Sequence, residues 1–358
     1  MKKIAIMTAG GDCAGLNSVI RTVVKSAENA GVVVVGILDG YIGFAEKRYK
    51  VLDAKSVEGI ETIGGTILGS SNKESPFWYP SDKDRSVFID KVDEGISSLK
   101  KLGVEGMIIV GGDGTLDSAR IICEHGMKVI GIPKTIDNDM PASTPTLGFN
   151  TAVENVVEAI RKLKSTAYSH RRIFVVETMG RTSGYLTLHG GFVAGADIIL
   201  LPEKDYKLEN VCNKIHEIMS MGKRYAIITV SEAAKSKGSE ETVARVVNDS
   251  YEKKRYGGIS EKLAADIEKN TGYETRAMIL GHIQRGGEPC SSDILLGARL
   301  GNYALTLLLE DISGYVVGVN ENKLTKMKFP EKREPRILDF ETDELIKVAK
   351  NMGIYFGD

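Results

Sequence analysis

Two apolar runs about 20 residues apart, Met107–Val110 and Val129–Ile132, each break into an acidic turn. The first turn is Gly111-Gly112-Asp113-Gly114-Thr115, and the second is Pro133-Lys134-Thr135-Ile136-Asp137-Asn138-Asp139. A β-branched run that ends in a turn and restarts with helical period is the repeating unit of a parallel sheet covered by helices. The pattern recurs along the chain. Strands are expected at Ile4–Met7, Val32–Ile37, Met107–Val110, Val129–Ile132, Ile173–Val176, Ala226–Val230 and Ala277–Leu280, with helices such as Asn17–Glu28, Lys91–Leu102 and Val153–Leu163 between them. Sites in such sheets gather beyond the carboxyl ends of the strands, and each motif discussed below sits at such an end.

Glycines at 111, 112 and 114 let backbone N–H groups approach phosphate oxygens, and the helix that follows offers its positive end. Asp113 can hold a counter-ion there. The second turn supplies two carboxylates two residues apart with a lysine nearby, the parts that phosphoryl transfer asks for: a charge-neutralising cation, a base for a hydroxyl proton and fixed donors. Either turn alone is equally readable as a tight turn of an α/β protein, because turns favour these residues. Their pairing favours one shared reacting centre.

A chain of 358 residues with 42% apolar content has room for about two domains. A formal net charge of -1 gives no bulk attraction to nucleic acid or to an anionic membrane, so small phosphates are the expected ligands. The four cysteines, Cys13, Cys123, Cys212 and Cys290, form neither a CxxC pair nor a Cys/His ligand spacing, which speaks against zinc and disulfides and for a reducing cytoplasm. The apolar run after Met1-Lys2-Lys3 stops at Gly10-Gly11, short of a signal peptide, and no run reaches the length of a membrane span. The charged stretch Ser236–Asn270, with Lys253-Lys254-Arg255, reads as a solvated helix face, and Lys323–Arg336 as a polar, proline-punctuated connector before a last helix at Thr342–Met352.

A third glycine-rich strand-to-helix turn, Thr8 to Gly15, fits neither G-x-G-x-x-G nor a P-loop. Arginines accompany histidines in Ser169-His170-Arg171-Arg172, Met179-Gly180-Arg181 and Arg276 through Gly281-His282-Ile283-Gln284-Arg285-Gly286-Gly287. Guanidinium forks bind phosphate oxygens in pairs and stay charged at any working pH. Glu232, at the end of the Ala226–Val230 strand, is readable either as an acceptor for substrate hydroxyls or as an exposed glutamate at a strand end.

These residues resemble the 6-phosphofructokinase family. The likeness runs roughly from Ile4 to Asn320 through TAGGDCAGLN, DGYIGF, GGTILGSS, GGDGT, PKTIDND, VVETMGRTSGY, ILLPE and GHIQRGG, in the family's order. It implies two similar-sized three-layer α/β domains with mainly parallel sheets and the active site in the cleft between them. Residues 1–148 plus 284–334 would bind the nucleotide and residues 149–283 plus 335–358 fructose 6-phosphate. The implied reaction moves the γ-phosphoryl group of ATP to the 1-hydroxyl of fructose 6-phosphate, with Mg²⁺. Asp137 matches the general base, Asp113 the metal-linked aspartate, and Thr135 and Asp139 the neighbours that orient substrate and metal. Lys134 falls where it can stabilise the transferring group. Gly11, Tyr41, Gly112, Gly114 and Thr115 fall in the nucleotide-binding turns. Met179, Gly180, Arg181 and Glu232 match the sugar-binding set, and His282 and Arg285 the 6-phosphate set. Arg172 and Arg276 match arginines lent across a subunit interface, which implies a homo-oligomer, a tetramer before a dimer.

Pyrophosphate-dependent relatives place an aspartate where this chain has Gly114, which leaves room for a nucleotide's α-phosphate; Lys134, by contrast, stands where those relatives have lysine. The expected donor is ATP, with pyrophosphate as the alternative. Asn72 replaces an arginine near the transferred phosphate, with Lys73 or Lys134 as candidate substitutes. A kinase sharing only GGDGT is opposed by MGRTSGY and GHIQRGG. A non-catalytic sugar-phosphate-binding paralogue is opposed by intact Asp113, Asp137 and Arg181.

Overall fold

The computed structural model describes residues 1–72, 75–81, 87–239, 243–246 and 254–358, and of 243–246 and 254–255 the backbone only. The chain opens with β1 (Lys3–Thr8), α1 (Leu16–Asn29), β2 (Val33–Ile37), α2 (Tyr41–Glu46), β3 (Tyr49–Leu52), β4 (Tyr79–Pro80), β5 (Phe88–Ile89) and α3 (Val92–Lys101). It continues through β6 (Gly106–Gly111), α4 (Asp113–Glu124), β7 (Lys128–Pro133) and the long α5 (Phe149–His170). Then follow β8 (Ile173–Thr178), α6 (Tyr185–Ala194), β9 (Ile198–Leu200), α7 (Leu208–Ser220), β10 (Ala226–Ser231), β11 (Val243–Val246), β12 (Lys254–Tyr256), α8 (Ile259–Thr271) and β13 (Thr275–Ile279). The chain closes with α9 (Ser291–Leu309), β14 (Tyr315–Asn320), β15 (Lys323–Lys328) and α10 (Glu344–Asn351).

Among the described residues, seven strands form one sheet in the order β15-β14-β7-β6-β1-β2-β3, and four form another in the order β13-β8-β10-β9. The inner pairs are parallel, while β2–β3 and β14–β15 are antiparallel. Alternation along the strands divides the apolar side chains between faces. Ile4 and Ile6 of β1, Ile108 and Val110 of β6, and Phe174 and Val176 of β8 enter one continuous core that runs between the two sheets. Ala5, Met7, Met107 and Ile109 fill the opposite face of the larger sheet, and Ile173, Val175, Ile228 and Val230 that of the smaller. The expected α/β architecture with parallel central strands is therefore present.

Two buried carboxylates fix helices across long stretches of sequence. Asp293 of α9 accepts from Gly148 N (3.0 Å), Thr151 N (2.7 Å) and Thr151 Oγ1 (2.6 Å), so it caps α5 where the chain passes from one sheet to the other. Glu177 of β8 accepts from Gly258 N (3.1 Å), Ser260 N (2.9 Å) and Ser260 Oγ (2.8 Å), and caps α8.

Two readings of the sequence change. Lys323–Lys328, taken as connector, is β15, an edge strand with one face exposed (Leu324, Lys326, Lys328) and Thr325 and Met327 half-buried on the other, and only the residues from 329 to 343 are irregular. Lys254–Tyr256 is a strand paired with β11 and not a helix face, while Lys253 lies outside the described residues, as does Lys73. The four cysteines are free thiols, and burial pushes that of Cys13 up to about 12.

Candidate active site

The register of the larger sheet brings three turns together. Thr8 of β1 pairs with Val110 of β6, and Gly111 of β6 with Pro133 of β7, so the turns after these strands emerge side by side. Gly112 precedes α4 with no side-chain cap, which leaves the first N–H groups of the helix for an anion. A Cβ on Gly111 would collide with Thr115, so glycine is needed there for the turn to close on its helix. Tyr41 lies beneath. Its buried hydroxyl donates to Thr115 O at 2.7 Å, and burial raises its pKa and keeps it protonated. It supports the turn from below.

Lys134 leads the second turn and is buried. Its amide donates to Gly111 O at 3.0 Å and its ammonium to the Gly11 carbonyl, tying the three turns to one another. Burial lowers its pKa, and the neighbouring Arg285 pushes the same way. The rest of the turn is held by its own backbone and by Thr146, which donates from Oγ1 to Thr135 O (2.8 Å) and from N to Asn138 Oδ1 (3.0 Å). Asp137 N donates to Thr135 Oγ1 at 3.1 Å. Asn138 is left-handed at φ 55°, a conformation asparagine tolerates, and this kink separates the half-buried Asp137 from the buried Asp139.

On the smaller sheet, Thr178 of β8 pairs with Ser231 of β10, and Glu177 with Ile279 of β13. Met179-Gly180-Arg181, Glu232 and the 281–285 turn therefore leave adjacent strands. Gln284 Oε1 accepts from Met179 N at 3.2 Å, and Ser231 Oγ donates to Gly180 O at 2.7 Å, which steadies a glycine at φ 139°. The two rims meet. Thr182 Oγ1 donates to Asp139 Oδ2 at 3.3 Å. Arg285 Nη1 donates to Asp12 O at 3.1 Å and covers Gly11, where a Cβ would stand 2.7 Å from it.

Arg285 thus reaches the first turn of the larger sheet, while His282 stays exposed on its own side. Arg172 and Arg276 are brought together elsewhere, both on Glu274, with Arg172 Nη2 at 2.8 Å. Arg276 lies in β13 and Arg172 directly before its neighbour β8, and β13 is an edge strand that carries the exposed Met278 and Ile279.

Arg336 escaped the sequence analysis. From the irregular segment after β15 its backbone N donates to Asp139 O (2.5 Å), Nε and Nη2 donate to Asn138 O (3.2 and 2.6 Å), and Nη1 donates to Thr144 Oγ1 (2.7 Å). Three residues earlier, Arg333 Nη2 lies 3.2 Å from where a Cβ on Gly114 would stand, and 3.9 Å from Asp117 Oδ2.

A family profile described as Phosphofructokinase matches residues 3–308. The chain belongs to the phosphofructokinase family. It is 43% identical to the ATP-dependent 6-phosphofructokinase 2 of Clostridium perfringens, over 100% of this chain and 99% of the relative. It is also 41% identical to the pyrophosphate–fructose 6-phosphate 1-phosphotransferase of Dictyoglomus thermophilum, over 90% of each. Among solved structures, that of phosphofructokinase from Saccharomyces cerevisiae superposes with a TM-score of 0.79 at 28% identity; it matches 92% of this chain, which spans 45% of the yeast chain. Relatives named for either donor therefore resemble this chain, and ATP-dependent enzymes such as that of Clostridium perfringens match it over its full length.

Proposed function

We propose that this phosphofructokinase transfers the γ-phosphoryl group of ATP to the 1-hydroxyl of fructose 6-phosphate, giving fructose 1,6-bisphosphate and ADP. The observation that carries the reading is the meeting of two rims, one built of glycine turns with Lys134 and Asp137, the other of the Met179–Arg181 loop, Glu232 and the 281–285 turn. Asp137 takes the proton of the attacking hydroxyl as the new O–P bond forms and the bond to the β-phosphate oxygen breaks. Lys134, beside Gly11 and Arg285, offsets charge on the moving phosphoryl group, and Thr135 holds the backbone of Asp137. Gly11, Gly112, Gly114 and Thr115 face the donor phosphates, and Tyr41 braces them. Met179, Gly180, Arg181, Asp139 and Glu232 orient the sugar. His282 and Arg285 hold its 6-phosphate.

Gly114 supports ATP over pyrophosphate. A side chain there would enter the space beside the amino end of α4, where the nearest atoms among the described residues are those of the flexible tip of Arg333. Mg²⁺ fits the donor set. No group of three or more His, Cys, Asp or Glu residues is arranged to hold a metal among the described residues, and Mg²⁺ characteristically needs only one or two carboxylates beside substrate phosphates and water. Asp113 would hold it, and the ion would neutralise phosphate charge.

The domain division read from the sequence is supported by sheet membership, with α5 and α9 at the crossing and residues after 335 returning to the smaller sheet, where Tyr355 bridges to Ile198. Arg172 and Arg276, beside a strand edge that is partly apolar and unpaired among the described residues, support a homo-oligomer in which they serve a neighbour's 6-phosphate, a tetramer before a dimer. No helix among the described residues is long and apolar enough to cross a membrane; the small phosphorylated substrates fit a cytoplasmic setting.

Turnover of fructose 6-phosphate with Mg²⁺ and either ATP or pyrophosphate, run side by side, tests the donor: activity with ATP alone is expected, and activity with pyrophosphate alone overturns the assignment. Asp137→Ser should abolish turnover while fructose 6-phosphate still binds. Mixing inactive Asp137→Ser and Arg276→Ala subunits should restore activity if the arginines cross the interface. No recovery after dissociation and reassembly would place them in their own subunit's site.

A further inference from the structure

We propose that Arg336 is a positioning residue for the catalytic turn. Four of its donors close on a span of seven residues: the backbone N on Asp139 O, Nε and Nη2 on Asn138 O, and Nη1 on Thr144 Oγ1. Asn138 lies between the two aspartates in a left-handed conformation, so the direction in which Asp137 leaves the turn depends on how this one peptide is held. Thr146 fixes the turn through the Asn138 side chain from within, and Arg336 fixes it through the Asn138 carbonyl from outside. A guanidinium giving two hydrogen bonds to one carbonyl and a third to a hydroxyl has little freedom to rotate.

The same guanidinium lies over the ring of Tyr185, 4.5 Å from its centroid. Tyr185 is the first residue of α6, directly after the loop that carries Met179, Gly180 and Arg181. Arg336 is therefore hydrogen-bonded to the turn of the larger sheet and stacked on the helix that begins behind the sugar loop of the smaller one. It sets the distance between the base and the sugar site, and touches neither reactant itself.

The inference rests on the reading of Asp137 as the base. Arg336→Ala should lower kcat roughly 100-fold, the scale on which an ångström of misplacement acts, with KM for ATP and for fructose 6-phosphate within about threefold. Millimolar guanidinium chloride should restore part of the lost kcat. Arg336→Lys keeps one charged donor but cannot reach Asn138 O and Thr144 Oγ1 together, so it should fall between. In the Asp137→Ser background, where turnover is lost but fructose 6-phosphate still binds, Arg336→Ala should leave that binding within about threefold, because it acts through the missing carboxylate. A kcat within threefold of the parent, a change confined to KM, or a loss that guanidinium does not rescue in either variant would overturn the proposal. Asp137→Ser retaining turnover would instead overturn the base assignment, whatever Arg336→Ala does.

Discussion

Gly114→Asp puts the donor argument under direct load. Gly114 lies in the first turn of α4 without a positive φ, and among the described residues an added Cβ meets first the end of Arg333, at 3.2 Å. That tip can withdraw by a few tenths of an ångström, so the fold should accept the change. Replacing a helical glycine gains roughly 0.3 kcal/mol of propensity, and an acidic group in a first turn gains about 0.3–1 kcal/mol more, so the apparent Tm should hold or rise slightly. Function should respond in the opposite direction. A unit charge about 5 Å from a phosphate, at an effective dielectric constant of roughly 20, costs about 3 kcal/mol, or on the order of 100-fold in kcat/KM for ATP. Pairing of the new carboxylate with Arg333 offsets part of this. Steady-state kinetics with each donor, read beside thermal melts, measure both sides. Gly114→Ala, which adds volume without charge, should stay within about threefold of the parent. If the aspartate variant keeps its ATP activity, or the alanine variant loses as much as the aspartate one, side-chain charge at 114 does not govern the donor.

Two further outcomes follow from buried ionisable groups. Asp293→Ala strips three donors of a buried acceptor and should destabilise the protein by about 3–5 kcal/mol, seen as a lower denaturant midpoint; a loss under 1 kcal/mol would mean that the α5–α9 joint does not need its cap. Lys134, its pKa lowered from 10.5 by burial, should lose its charge on the alkaline side before an ordinary lysine does. Turnover should then fall below pH 10.5, and a kcat profile flat to that point would refute the role given to its charge. The stability sign is the reverse: burial disfavours the charged form, so the penalty is full at acid pH and is relieved as pH rises through the folded-state value.

The inner strands were legible because both of their faces are buried, and continuous β-branched runs such as those of β6 and β7 leave little else to build. The same strands fixed where Gly112, Asp113, Lys134 and Asp137 would emerge, so the donor side was readable from order and spacing. β15 was not, because KLTKMK exposes most positions and so shows neither a strand's apolar alternation nor a helix's stripe. Glu177 left a signal that went unused, a charge at the end of an otherwise apolar strand, which here marks a helix cap more than 80 residues away. Arg336 and Asp293 left none. Their partners, Asn138 and Thr151, are distant in the chain, and local pattern carries no record of which distant carbonyl or amide a side chain will meet. Arg285 was legible as a ligand-site arginine, but its reach to Asp12 required the second sheet to be set against the first.

The order of strands in the larger sheet also bears on how the chain acquires its structure. β1, β2, β3, β6 and β7 precede every strand of the smaller sheet, and β14 and β15 follow them all. The smaller sheet can assemble from one uninterrupted stretch, whereas β14 must return to β7 after more than 170 residues have been placed. Closing so long a loop makes that pairing a late event. A chain interrupted before residue 315 would hold the four paired strands of the smaller sheet without the Tyr355 segment that bridges to Ile198, an open edge at β7 and no clamp on Asn138, so competence should arrive in a single step near the end of folding.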